Sequence, residues 1–163
     1  MAESIEVRDG ARRITFDGQL IGSVSSRRHD SPRWSEYKLY RTVAGSYVLE
    51  KVGRSIVVHM PSCPDILNQL DRFQTVHPGA DPADGWWFCE TCTAAGYNIT
   101  ALLVENDRSW VTISDDPQEI IDALYRRKGG ARSLQRISLS LLEQASRADE
   151  KISDAFYSVE HLA

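Results

Sequence analysis

Between Leu134 and Val159 the apolar residues Leu134, Ile137, Leu141, Ala145, Ala148, Ile152, Ala155 and Val159 fall at intervals of 3, 4, 4, 3, 4, 3 and 4. Only a helix puts such a series on one side, so the chain is expected to close with a long helix over about 133–159. Alanines thin the stripe. The preferred reading packs it on the chain's own sheet and leaves a monomer; the alternative is a dimer seam through this C-terminal helix.

Upstream the pattern is that of strands. "RITFDGQLIGSV" predicts an N-terminal hairpin of two short strands around Asp17-Gly18. "WSEYKLYRT" (34–42) is aromatic and β-favourable and ends at Ala44-Gly45, while "YVLEKV" (47–52) and "SIVVHM" (55–60) flank a second turn at Gly53-Arg54. A helix is expected next, with Ser62 as cap, Pro64 in its first turn, and Ile66, Leu67, Leu70 and Phe73 on one face. "ITALLVE" (99–105) and "SWVTIS" (109–114) predict two more strands around Asn106-Asp107. Asp116, Pro117 and Glu119 form a capping-box signature for a helix carrying Ile120, Ile121, Leu124 and Tyr125, with Gly129 as its terminator.

Residues 34–73 and 86–127 can be aligned on each other. Trp34 meets Trp86, Thr42 meets Thr93, Ala44-Gly45 meet Ala95-Gly96, Arg54-Ser55 meet Arg108-Ser109, and Pro64 meets Pro117. The alignment predicts an internal duplication of strand-strand-strand-helix halves. The expected fold is therefore α+β: antiparallel sheets from two similar halves, led by a hairpin and closed by a long helix, in one domain over residues 1–163.

That alignment bears on "WWFCETC" (86–92), which can be read as a strand, a zinc knuckle or a redox pair. As a strand it would point Cys89 and Cys92 to opposite faces and leave them as buried thiols, with Phe88 and one tryptophan in the core. Zinc is the runner-up, with His59, Cys63, Cys89 and Cys92 as its ligand set. The redox reading needs a helix after the pair, and "TAAG" argues against one. On the strand reading no cofactor or metal is required.

Charge is unevenly spread over a net −4, with a basic balance in residues 1–60 and an acidic one after them. The basic part gathers Arg27, Arg28, Arg33, Lys38 and Arg41 around Trp34, Tyr37 and Tyr40, the makeup of a partner-binding surface. The same residues suit stacking and phosphate contact, so a single-stranded nucleic-acid-binding module is the alternative function. No nucleophile elbow, phosphate loop or dinucleotide fingerprint is present, and the histidines are scattered; the protein is read as a non-enzyme.

The N-terminal run "MAESIEVRDGARR" lacks the apolar core of a signal peptide, no apolar run reaches membrane-spanning length, and three cysteines make an odd count. These features set the expectation of a cytoplasmic protein with reduced thiols and no membrane partner. The function expected is docking on a larger protein or complex as an adaptor or inhibitor-like regulator, of prokaryotic, phage or mobile-element origin. A zinc-stabilised small domain is the third reading.

Overall fold

A computed structural model of the chain describes residues 2–76, 85–96, 101–128 and 131–158. The fold is mixed α+β with largely antiparallel sheets, and it divides into two compact units. The first comprises Met1–Ser26, Glu36–Val52 and Ser109–Ala163; the second comprises Arg27–Ser35 and Gly53–Arg108.

The first unit is built on a five-stranded sheet in the order β1-β2-β3-β4-β9, where β1 is Glu3–Asp9, β2 Arg12–Ser25, β3 Arg33–Thr42, β4 Tyr47–Ser55 and β9 Arg108–Ser114. The N-terminal hairpin forms, but one Asp-Gly pair earlier than expected. Asp9 pairs with Arg12 across a turn in which Gly10 takes a φ of 62°. Asp17-Gly18 stays extended because it is laddered on both sides, to Glu3 and Ser4 of β1 and, through Gly18, to Thr42 of β3. Two ladders outweigh the local turn preference. Gly53-Arg54 likewise lies inside β4 and not in a turn, whereas Ala44-Gly45 does close the β3–β4 connection. The tip of the first hairpin returns to the far edge strand, where the Gly10 N–H bonds the Ser109 carbonyl at 2.9 Å.

On one face of this sheet Leu39, Tyr47 and Leu49 meet α2 (Pro117–Leu124) through Ile120, Ile121 and Leu124. They also meet the C-terminal helices through Leu141, Leu142, Ala145 and Ile152. The Asp116 cap forms, its carboxylate accepting the Gln118 N–H. The reciprocal capping-box bond does not, because Ser114 Oγ takes the Asp116 N–H and donates to Glu119 itself. The helix stops at Leu124 and the chain turns into strand Tyr125–Lys128, paired with Ala131–Leu134; the expected terminator Gly129 lies outside the described residues.

The long C-terminal helix is two helices, α3 (Arg136–Ala148) and α4 (Glu150–Ser158). Asp149 breaks it: extended at φ −142°, it is buried and accepts the N–H of Ile152 as a cap for the second helix. Leu141, Ala145 and Ile152 of the apolar series are buried in the unit's own core, while Ala148 faces solvent and Val159 lies outside the described residues. On the opposite sheet face Val7, Tyr40 and Val48 form a smaller cluster with Phe16, whose ring meets that of Tyr40 edge-on at 5.4 Å.

The second unit has a four-stranded sheet in the order β6-β8-β5-β7, where β5 is Val57–His59, β6 Phe73–Thr75, β7 Trp87–Phe88 and β8 Leu103–Glu105. β5 is parallel to β7 and antiparallel to β8. The helix expected over 62–73 is absent, and in its place runs a series of tight turns ending in a 3₁₀ turn, Leu70–Arg72. Each is closed by an i to i+3 bond, from Cys63 to Met60, Ile66 to Cys63, Gln69 to Ile66 and Arg72 to Gln69. Two of these turns, "MPSC" and "CPDI", carry proline at their second position, where its fixed φ suits a turn. Of the expected apolar face only Ile66 is buried; Leu67 and Leu70 are exposed.

Among the described residues, 34–73 and 86–127 carry different elements: the first holds long strands and then turns, the second a two-residue strand, a short helix, two strands and α2. The shared turn and cap residues do not produce two alike halves. Among the described residues, no helix is long and apolar enough to cross a membrane.

Candidate metal centre

The stretch 86–92 is not one strand. β7 ends at Phe88, and Glu90–Ala95 forms a short helix, α1, with Cys89 as its N-cap and Gly96 (φ 83°) at its end. Thr93 secures the turn, its N–H and hydroxyl both bonding the Cys89 carbonyl, at 2.9 and 2.8 Å. "TAAG" therefore closes a helix instead of preventing one. A helical first turn brings residues three apart to one side, so Cys89 and Cys92 converge where a strand would have parted them. Phe88 is exposed, and of the pair Trp86-Trp87 it is Trp86 that packs inward, against Val58 and its neighbours.

β5 supplies the opposite wall. Its alternation puts Val57 into the cluster with the cysteines and Val58 into a separate one with Val76, Leu102 and Val104. His59 shares the Val57 parity. The Met60-Pro61-Ser62-Cys63 turn then folds the chain back, so that Cys63 returns beside His59. The donor atoms of His59, Cys63, Cys89 and Cys92 all lie within 4.8 Å of one another, and all four residues are buried. The cysteines form no disulfide.

The surroundings suit metal ligation. Nδ1 of His59 is buried without a hydrogen-bond partner, a costly state that a metal would relieve. Burial, the leading influence, lowers the His59 pKa, which keeps the imidazole neutral as a ligand must be. Cys92 Sγ accepts the Met60 N–H at 3.3 Å. Burial pushes the Cys63 thiol up to about 12, with the Cys92 thiol adding to the effect, so an ion would have to displace the Cys63 proton on binding. These four residues could hold a metal ion.

A cavity of about 470 Å³ opens beside this cluster. His59 and Cys89 form part of its lining, with Val57, Ile66 and Phe73 as the apolar part. Trp87 and Phe88, at 42% and 45% exposure, stand on it, and Asp65, Glu90 and Glu105 bring carboxylates. Arg33 contributes its one guanidinium, paired to Glu105 at 2.6 Å.

The basic and aromatic residues expected to form one partner-binding surface fall in different units. In the first unit Tyr37 and Tyr40 are core residues on opposite faces of the sheet, Lys38 is half-buried, and Arg41 pairs with Asp149 at 2.8 Å. In the second, Trp34 is buried with the Arg27 guanidinium 4.3 Å over its ring, Arg28 pairs with Asp30, and Arg33 with Glu105. Bases stack on open ring faces, which Tyr37 and Tyr40 do not present. The sequence did contain the four-residue ligand set. What it missed was the carboxylate and aromatic cavity, because Asp65, Trp87, Glu90 and Glu105 lie on separate elements and no spacing rule joins them.

No protein-family model, curated protein or solved structure matches the chain.

Proposed function

We propose that the second unit is a zinc-stabilised binding module in which His59, Cys63, Cys89 and Cys92 hold one structural ion, and that the protein acts by docking on a larger protein, not by catalysis. The observation that carries this reading is the convergence of three thiols and one imidazole, all buried, within 4.8 Å. Tetrahedral zinc with ligands at about 2.0–2.3 Å needs donors roughly 3.5–4 Å apart, so a small contraction closes the set. Soft thiolates with one imidazole select zinc over the hard cations. Four protein ligands leave no position for a reactive water, which supports a structural role.

Metal analysis of the purified protein tests it. One zinc per chain is expected, released by a strong chelator together with loss of structure in residues 53–108. Protein that folds without zinc and fails to bind added zinc would overturn the reading.

A further inference from the structure

We infer that the cavity beside the metal centre receives a basic side chain, arginine or lysine, presented by a peptide segment of a protein partner. This deepens the metal-module reading and rests on it. The cavity, at about 470 Å³, is in the range of small-ligand sites and far larger than an ion needs.

Charge decides the kind of guest. Arg33 and Glu105 neutralise each other across 2.6 Å, which leaves the carboxylates of Asp65 and Glu90 as the excess on the lining. A centre of one divalent ion, three thiolates and a neutral imidazole adds one further net negative charge behind the Cys89 wall. A cation is drawn into such a site, and a phosphate backbone or acidic peptide is repelled.

The aromatic residues supply the second recognition element. Trp87 and Phe88 leave 42% and 45% of their surface exposed although core positions are close by in sequence, and ring faces beside carboxylates attract guanidinium and ammonium groups. Both lie directly before ligand Cys89, on a strand held to β5 by the Trp87 N–H to the Ile56 carbonyl and the Cys89 N–H to the Val58 carbonyl. Asp65 follows ligand Cys63 by two residues and accepts the Thr91 hydroxyl at 3.1 Å. Metal ligation at Cys63 and Cys89 therefore positions the acidic and aromatic groups together, so little ordering is left for the binding step.

The experiment is a ¹⁵N NMR titration of the zinc-loaded full chain with the capped peptides Ala-Ala-Arg-Ala-Ala and Ala-Ala-Lys-Ala-Ala. The glutamate peptide and a short single-stranded oligonucleotide serve as controls. Saturable shifts of the Trp87 indole N–H and the Thr91 amide are expected with a basic peptide, weakened about tenfold in Trp87→Ala and in Glu90→Gln. Zinc content and spectral dispersion, read on the same samples, show that both variants stay folded. No saturable shift in zinc-loaded protein would overturn the cavity assignment and leave the metal reading standing. So would equal response to the glutamate peptide or oligonucleotide, or unchanged affinity in both variants. Saturable binding of the basic peptide by folded protein without zinc would uphold the cavity and overturn the metal reading.

Discussion

The phenol of Tyr47 on β4 donates a 2.9 Å hydrogen bond to Oδ1 of Asp149, the residue at which the C-terminal helix breaks. Oδ1 also accepts the Ile152 N–H at 3.0 Å, and Oδ2 accepts from the Arg41 guanidinium at 2.8 Å. Three donors, one of them charged, compensate a carboxylate that has no exposed side-chain surface. Sheet and helices of the first unit are tied together at this one group.

Replacing Asp149 with alanine should therefore destabilise the first unit by about 3 kcal/mol, because it strands a buried hydroxyl, an ion-pair partner and a helix N-terminus together. Asp149→Asn keeps the cap and some of the bonding and should cost less. Urea unfolding followed by circular dichroism measures both; equal midpoints for Asp149→Ala and the natural chain would refute the role.

The same contact predicts a dependence on alkaline pH. Burial first, then the hydrogen bond to Asp149 and its charge, push the Tyr47 phenol from 10.0 up to about 12. A raised folded-state value means that the stabilisation is fully present below pH 10, where both states hold the proton. It is lost as pH rises from there through about 12, where the unfolded chain ionises first. Tyr47→Phe should show a shallower loss of stability across that window, measured as the unfolding midpoint against pH.

Gly22 of β2 lies under α3, where an added Cβ would come within 2.9 Å of Leu141 Cδ1 and 3.3 Å of the Leu141 carbonyl oxygen. Gly22→Ala is expected to cost about 1–3 kcal/mol through forced separation of helix and sheet. Leu141 is fully buried in the unit's core, so Leu141→Asp should unfold that unit instead of releasing a folded monomer. Light scattering and circular dichroism on that variant separate the outcomes, since a stable folded protein of halved mass would place the seam between two chains.

For the cysteines, Cys89→Ser combined with Cys92→Ser should abolish stoichiometric zinc and remove hydrogen-exchange protection from residues 53–108 while the core of the first unit keeps it. Exchange mass spectrometry reads both regions at once. Wild-type protection throughout the doubly substituted chain would return the thiols to the role of packing groups.

Strand and helix content was legible where local signals met no competitor. Asp116-Pro117 does start a helix, Ala44-Gly45 does close a turn, and Leu141, Ala145 and Ile152 do face a core. Those features depend on neighbours within a few residues, where cap geometry, turn dihedrals and periodicity act directly. The four donors were also visible as residue types able to share an ion, though not as residues that meet.

Tertiary structure decided the rest. Asp17-Gly18 became the interior of a strand because two ladders claimed its backbone, and Asp149 could break a helix because Tyr47 and Arg41 wait for it on the sheet. Cys89 and Cys92 turned to one side when Thr93 locked a helical turn, and the proline-led Met60–Cys63 turn brought Cys63 back to His59. The four donors meet only because two separate local turns come together in the fold. For Asp17-Gly18 and Asp149, by contrast, a local preference of about a kilocalorie is set against bonds and burial supplied by residues distant in the chain. A single sequence displays the preference, but the distant partners that outweigh it come together only in the folded chain.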